Sequence, residues 1–164
     1  MANLDQPIGF RTWGPILRVS PYEMNSGAAV YINDLLNMES DGYPDAATAG
    51  ETCIIGVSME YRSASTAAST IYVPDDPDQL FVAQADGSDL SSVTFVGNHC
   101  DHLATTGSST TGLSAHEINS SEVGTTPTGF MIKGKRPGVD NTWGANVDVI
   151  VQCYDHMFAR GTAV

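Results

Sequence analysis

The chain has 164 residues, of which 41% are hydrophobic. A single domain of that size removes roughly two-thirds of its unfolded surface from water, which excludes a disordered chain. Seven basic residues against nineteen acidic ones leave a formal charge of −12, so a phosphate backbone is repelled and nucleic acid is excluded as a partner. No apolar run approaches the about 18 residues of a helical membrane span, and no membrane partner is expected.

Residues 1–25 read as an extended arm preceding a single β-rich domain at 26–164. Prolines and glycines interrupt isolated large apolar groups there, and both weaken regular elements. The anchors are Ile8, Phe10, Trp13, Ile16 and Leu17. Two dispositions are open: the arm grips a partner, or it packs back on its own domain. In the first case removal of residues 1–17 leaves a folded domain. The opening "MANLDQPIGF" has neither a basic nor an apolar leader region, and synthesis and assembly in the cytosol are expected.

From Ala28 onward the period is two. "AVYIN" (29–33) is a strand candidate, and the overlapping "VYINDLLNM" could form one or two helical turns. "CIIGVSMEY" places Cys53, Ile55, Val57, Met59 and Tyr61 on one face and Ile54, Gly56, Ser58 and Glu60 on the other. "TIYV" (70–73), "LFVAQA" (80–85), "VTFVG" (93–97) and "GFMIKGK" (129–135) follow, rich in β-branched and aromatic residues. "SAHEINSSE" has Ser114 three residues before Glu117, a weak helix-capping signal. "NVDVIVQCY" closes the chain with Val147, Val149, Val151 and Cys153 inward. These elements predict an all-β fold, a small barrel or tulip-like β-sandwich, with at most one or two short helices.

Several stretches hold side chains capable of chemistry. "VPDDPDQLF" carries Asp75, Asp76 and Asp78, but Pro77 and the immediate strand occupy the places where a calcium loop needs its turn glycine, so the acids read as a solvated turn at a strand rim. "HCDHL" and "CYDH" offer two cysteines and three histidines, yet alternation sends neighbours to opposite faces, whereas zinc ligands must converge. Buried cysteines with surface histidines are expected, and no metal. "GFMIKGKR" approaches a phosphate loop but puts Arg136 where the magnesium-holding hydroxyl belongs and Pro137 where a helix should open. In "GLSAHE", Ser114 lies near His116 without the turn that presents a nucleophile. No catalytic residue and no cofactor is therefore expected.

Five blocks carry a resemblance. "MANLDQPIGFR", "AGETCIIGVSMEYR", "YVPDDPDQLFVAQADGS", "TTGSSTTGLSAHEINSS" and "IKGKRPGVDNTWGANVDVIVQ" resemble, in the same order, a group of small bacteriophage virion proteins that look like capsid decoration, or cement, proteins. The resemblance spans most of the chain, least between about 12 and 50 and past 155. It implies a non-enzymatic protein on the outer capsid surface, with the major capsid protein and further copies of itself as partners, a homotrimer before a dimer. It implies no catalytic residue.

The capsid or subunit interface expected on that basis comprises Ile8, Phe10, Arg11 and Trp13 of the arm, the acids Asp75, Asp76 and Asp78, and the bases Lys133, Lys135 and Arg136. The three bases either pair with acids of a neighbour or are solvated strand-edge charges. The rival readings are a low-copy head–tail or tail protein, a small metal-binding hydrolase built on "HCDH" and "CYDH", and a sugar-binding module exposing Trp13, Tyr22 or Trp143.

Overall fold

The computed structural model describes residues 3–64, 66–87 and 90–159. Among them twelve strands form: β1 (Arg11–Trp13), β2 (Val19–Met24), β3 (Leu35–Met38), β4 (Pro44–Ala46), β5 (Ile54–Val57), β6 (Ser69–Pro74), β7 (Leu80–Gln84), β8 (His99–Cys100), β9 (His102–Ser108), β10 (Leu113–Ile118), β11 (Phe130–Lys135) and β12 (Asp148–Cys153). The fold is all-β. A five-stranded antiparallel sheet runs β1-β7-β12-β11-β8, a three-stranded sheet runs β4-β3-β5, and β2–β6 and β9–β10 form two-stranded ribbons.

Two helical expectations fail. The "VYINDLLNM" stretch supplies β3, and "SAHEI" lies in β10; only Ser120–Glu122 beyond it makes a 3-10 turn, capped by the Asn119 side chain. Leu35 and Leu36 face different cores, which a strand achieves with adjacent residues and a one-sided helix does not. Conversely "VTFVG" is no strand. Val93–Phe95 is a 3-10 turn that the Ser92 hydroxyl caps by accepting the Thr94 N–H.

Layering follows from the burial pattern. The inner face of the five-stranded sheet, with Phe81, Ala83, Cys100, Phe130, Ile132, Val149, Val151 and Cys153, builds the larger core together with Phe10, Leu35, Ile54 and Val57. Met24, Ile71 and Val73 of the β2–β6 ribbon build a smaller core with Leu36 and Ile55. The β4-β3-β5 sheet therefore has a core on each side, and all four residues of β5 are buried.

Simple alternation fails there for a local reason. The β3–β5 register pairs Leu36 with Gly56 and then Asn37 with Ile54, so Ile55 is the extra residue of a bulge and turns away from Ile54 and Val57. Gly56 takes φ +147°, and a Cβ on it would stand 2.1 Å from the Pro74 carbonyl oxygen of β6. The bulge is what lets the ribbon close down on the sheet. Beyond β5 the expected inward face is lost, and Met59 and Tyr61 are exposed. In β12 the expected alternation holds, with Val149, Val151 and Cys153 inward.

The arm is extended but does not stand free. Phe10 is fully buried in the larger core, β1 pairs with β7 as the edge strand of the five-stranded sheet, and β2 pairs with β6 along its whole length. Of the two dispositions, the segment takes the second and packs on its own domain.

Candidate functional site

The first contiguous site is the seat of residues 3–11. The Asn3 side chain donates to the carbonyls of Thr142 (2.8 Å) and Ala145 (2.7 Å) and accepts the Thr142 N–H. Gln84, almost buried, accepts the Gln6 N–H at 2.8 Å and donates to the Leu4 and Asn146 carbonyls. Asn33 sits at φ +72°, a conformation asparagine tolerates, so that its side chain reaches the Ile8 carbonyl and its own carbonyl accepts the Phe10 N–H. Gly9 passes so close that a Cβ would meet Ser114 at 2.5 Å. Arg11 then faces Asp148 at 3.6 Å.

These contacts bring four of the five blocks of the resemblance together: the opening segment, Gln84, Ser114 and the Asn141–Asp148 stretch. A cleft of about 420 Å³ remains beside the segment, lined by Arg11, Arg136, Asp140 and Asp148 among others. Its two guanidinium groups are offset by two carboxylates, with Arg136 bound to Asp148 at 2.7 Å and to Asp140 at 3.4 Å.

The three acids of the 75–78 turn separate into different roles. Asp75 is 3% exposed; one oxygen accepts from Arg18 Nε at 2.7 Å and the other from the Tyr22 hydroxyl at 2.7 Å. It is thus a buried bracket between β2 and β6 and not the solvated rim or partner-facing acid expected. Burial raises its pKa, but the hydrogen bonds from Arg18 and Tyr22 outweigh that and hold it below the usual range. Asp76 closes its own turn by accepting the Asp78 N–H, and Asp78, exposed, accepts from Gln152. Asp75→Ala should cost about 2–3 kcal/mol by stranding the half-buried Tyr22 hydroxyl and releasing Arg18. A urea midpoint unchanged from the parent would show that the bracket contributes nothing.

The basic trio is also partly spent within the chain. Arg136 holds Asp148 and Asp140, and Lys135 donates to the Asn141 carbonyl. Lys133 is exposed and is the extra residue of a second bulge, between β11 and β12. Of the arm residues, Phe10 is inaccessible, Ile8 and Arg11 are partly covered, and Trp13 remains 36% exposed.

The histidines overturn the expectation of surface imidazoles, for all four are between 1% and 5% exposed. Within β10 the buried positions are Ser114, His116 and Ile118, and the β9–β10 register sets Ile118 opposite His102. In "LSAHEI" the apolar Leu113 and Ala115 lie on the opposite, half-buried face, so Ile118 was the one residue of the strand that marked the face of His116 as inward. His116 Nδ1 accepts the Leu35 N–H at 3.3 Å, which puts its proton on Nε2, facing Asp34 Oδ1 at 3.5 Å. Nδ1 thus holds a backbone N–H, while Nε2 only faces Asp34, whose Oδ1 is buried without a hydrogen-bond partner. The Ser114 hydroxyl accepts the His116 backbone N–H, so Ser114 and His116 do not form a nucleophile–base pair.

Desolvation sets the charge states in this cluster. It pushes the pKa of both His102 and His116 down to about 4, with His116 adding to the cost of charging His102, and it raises Asp34. Glu117, half-buried beside Asp5 and Asp86, is pushed up to about 7, first by desolvation. Cys100 and Cys153 are buried as expected and their thiols are pushed up, Cys100 to about 12, so neither is a thiolate at neutral pH; Cys53 is only half-buried. Among the described residues no three His, Cys, Asp or Glu side chains converge as metal ligands.

Comparison with protein-family models, with curated proteins and with solved structures found no match in any of the three.

Proposed function

We propose that the chain is a non-enzymatic virion structural protein that binds the outer surface of a bacteriophage capsid lattice and stabilises it as a decoration protein, with the major capsid protein as its partner and a homotrimer as its working form. The observation that carries the reading is the ordered set of five sequence blocks, four of which meet in the fold around residues 3–11. Their common feature is thus a structural seat, in keeping with a scaffold. The burial of His99, His102 and His156, between 1% and 5% exposed, favours it over a hydrolase built on those imidazoles. A strongly acidic exterior suits a protein displayed in many copies on a particle that must stay dispersed and must not adhere to packaged DNA. Lattice binding needs only modest contacts per copy, because an oligomer multiplies them.

The test is quantitative mass spectrometry of purified virions of the phage that encodes the chain. Copies near parity with the major shell protein are expected. A ratio of a few per cent would assign it to a vertex or tail, and absence from particles would overturn the reading.

A further inference from the structure

The largest run of exposed apolar side chains lies just past the seat. Trp13, Ile16, Leu17 and Val19 are between 36% and 51% exposed, and Tyr72 is 52% exposed. The β2–β6 register pairs Val19 with Pro74, Pro21 with Tyr72 and Glu23 with Thr70; of these Val19, Pro21, Glu23, Thr70 and Tyr72 are exposed on the outward face and Pro74 is buried, while Met24, Ile71 and Val73 face the core.

The ridge is held in place. Gln79, 1% exposed, donates to the Trp13 carbonyl at 3.3 Å and accepts the Leu17 N–H at 3.1 Å, clamping both ends of the Gly14–Ile16 loop. Arg18 is tied down by Asp75. Four apolar side chains in a short stretch are therefore presented to solvent by a bracket of buried polar groups. A loop free to fold inward would not leave them out.

Its border is anionic. Asp76 and Asp78 lie in the turn that Gln79 closes, Glu23 is exposed at the far end of the ribbon, and the one cation within the ridge, Arg18, is offset by Asp75. A second copy of the chain brings the wrong complement. Of the six bases among the described residues, Arg11, Arg18 and Arg136 face the chain's own carboxylates, Lys135 and Arg62 donate to its carbonyls, and Lys133 alone is exposed without a carboxylate or carbonyl partner.

We infer that the Trp13–Val19 ridge with Tyr72 is a docking face for a protein surface that offers an apolar pocket bordered by lysine or arginine. Apolar burial supplies the affinity, and the acidic border selects the basic partner and steers it. The face stands on its own geometry; only its assignment as the shell-facing side rests on the function proposed above.

The probe is a short peptide alternating Lys with Leu and Trp, titrated into the 15N-labelled full chain, with the Glu counterpart as control. Shifts confined to residues 13–19, 72 and 76–78 are expected with the Lys peptide and none with the Glu peptide. Ile16→Ser combined with Leu17→Ser should weaken binding about tenfold at an unchanged melting temperature, since both side chains are solvent-exposed. Shifts scattered over the acidic surface, equal response to both peptides, or concentration-dependent dimerisation through this face would overturn the inference. Loss of the peptide response with virion binding intact would discard the face and leave the proposed function. A mapped face on a chain absent from virions would do the reverse.

Discussion

Between pH 6.5 and pH 4 the forced charging of His102 and His116 inside the core should by itself cost the folded chain on the order of 4 kcal/mol of stability. Both have folded pKa values near 4, below the ordinary 6.5, so the stability they confer is fully present above 6.5 and is lost as pH falls toward 4. Their surroundings do not welcome the charge. His102 packs edge-on against Phe10 and Phe130, its ring lies 6.1 Å from that of His116, and its Nε2 is buried without a hydrogen-bond partner.

The carboxyl groups around the pair act in both directions. Asp101 and Glu51 favour a charged His102 but do not reverse its shift. Asp34 and Glu117, whose pKa values are raised, bind protons more readily folded than unfolded and so gain stability on acidification, which reduces the net loss. His156, also lowered by burial, adds to it. Glu117 is shifted as far as either histidine, so the remainder is about half of that cost, a measurable fraction of a total stability of about 5–15 kcal/mol. Urea midpoints at pH 7, 5.5 and 4.2 would measure it, with the His102→Gln, His116→Gln double variant expected to be less stable at pH 7 but much flatter with pH. An equal pH dependence in the parent and the double variant would mean that the two imidazoles are not held neutral.

What was legible in the sequence divides along physical lines. The all-β class and the strands β6, β7, β11 and β12 were readable because β-branched runs with period two can hardly form anything else. The stretch at Val93–Phe95 has the same composition, but its backbone is taken up by a local Ser92 cap. The β3–β5 layer was hidden because a bulge at Ile55 and a core on either side erase the alternation on which such reading depends. In the candidate sites, Asp75 was misplaced because its partner Arg18 lies 57 residues away in sequence, and nothing local marks one aspartate of "DDPD" as buried. The histidines were misassigned for a related reason, since chemical type suggests the surface while their position in β10 and beside it fixes the interior. The seat for residues 3–11 was visible only as separate blocks, because their common purpose is a three-dimensional contact.

The decisive residue of that seat is Phe10, and Phe10→Ala should cost about 3–5 kcal/mol, against less than about 0.5 kcal/mol for Leu4→Ala in the same segment. Phe10 is fully buried and its ring centroid lies 4.8 Å from that of Phe130, so truncation leaves a cavity where the five-stranded sheet meets the histidine pair; Leu4 is 72% exposed. Removal of residues 1–13 should be more damaging still, because it also strips β1 from β7 and bares Leu80, Phe81 and Val82 as an open edge prone to pairing with other chains. Thermal melts and size-exclusion profiles of the three variants would check this. A truncated chain that melts like the parent would restore the free arm suggested by composition and hand Phe10 back to a partner. The expected outcome has the opposite consequence: the deepest apolar group of the segment serves the chain's own core, and a partner is met by what stays outside, the ridge at Trp13, Ile16, Leu17 and Val19.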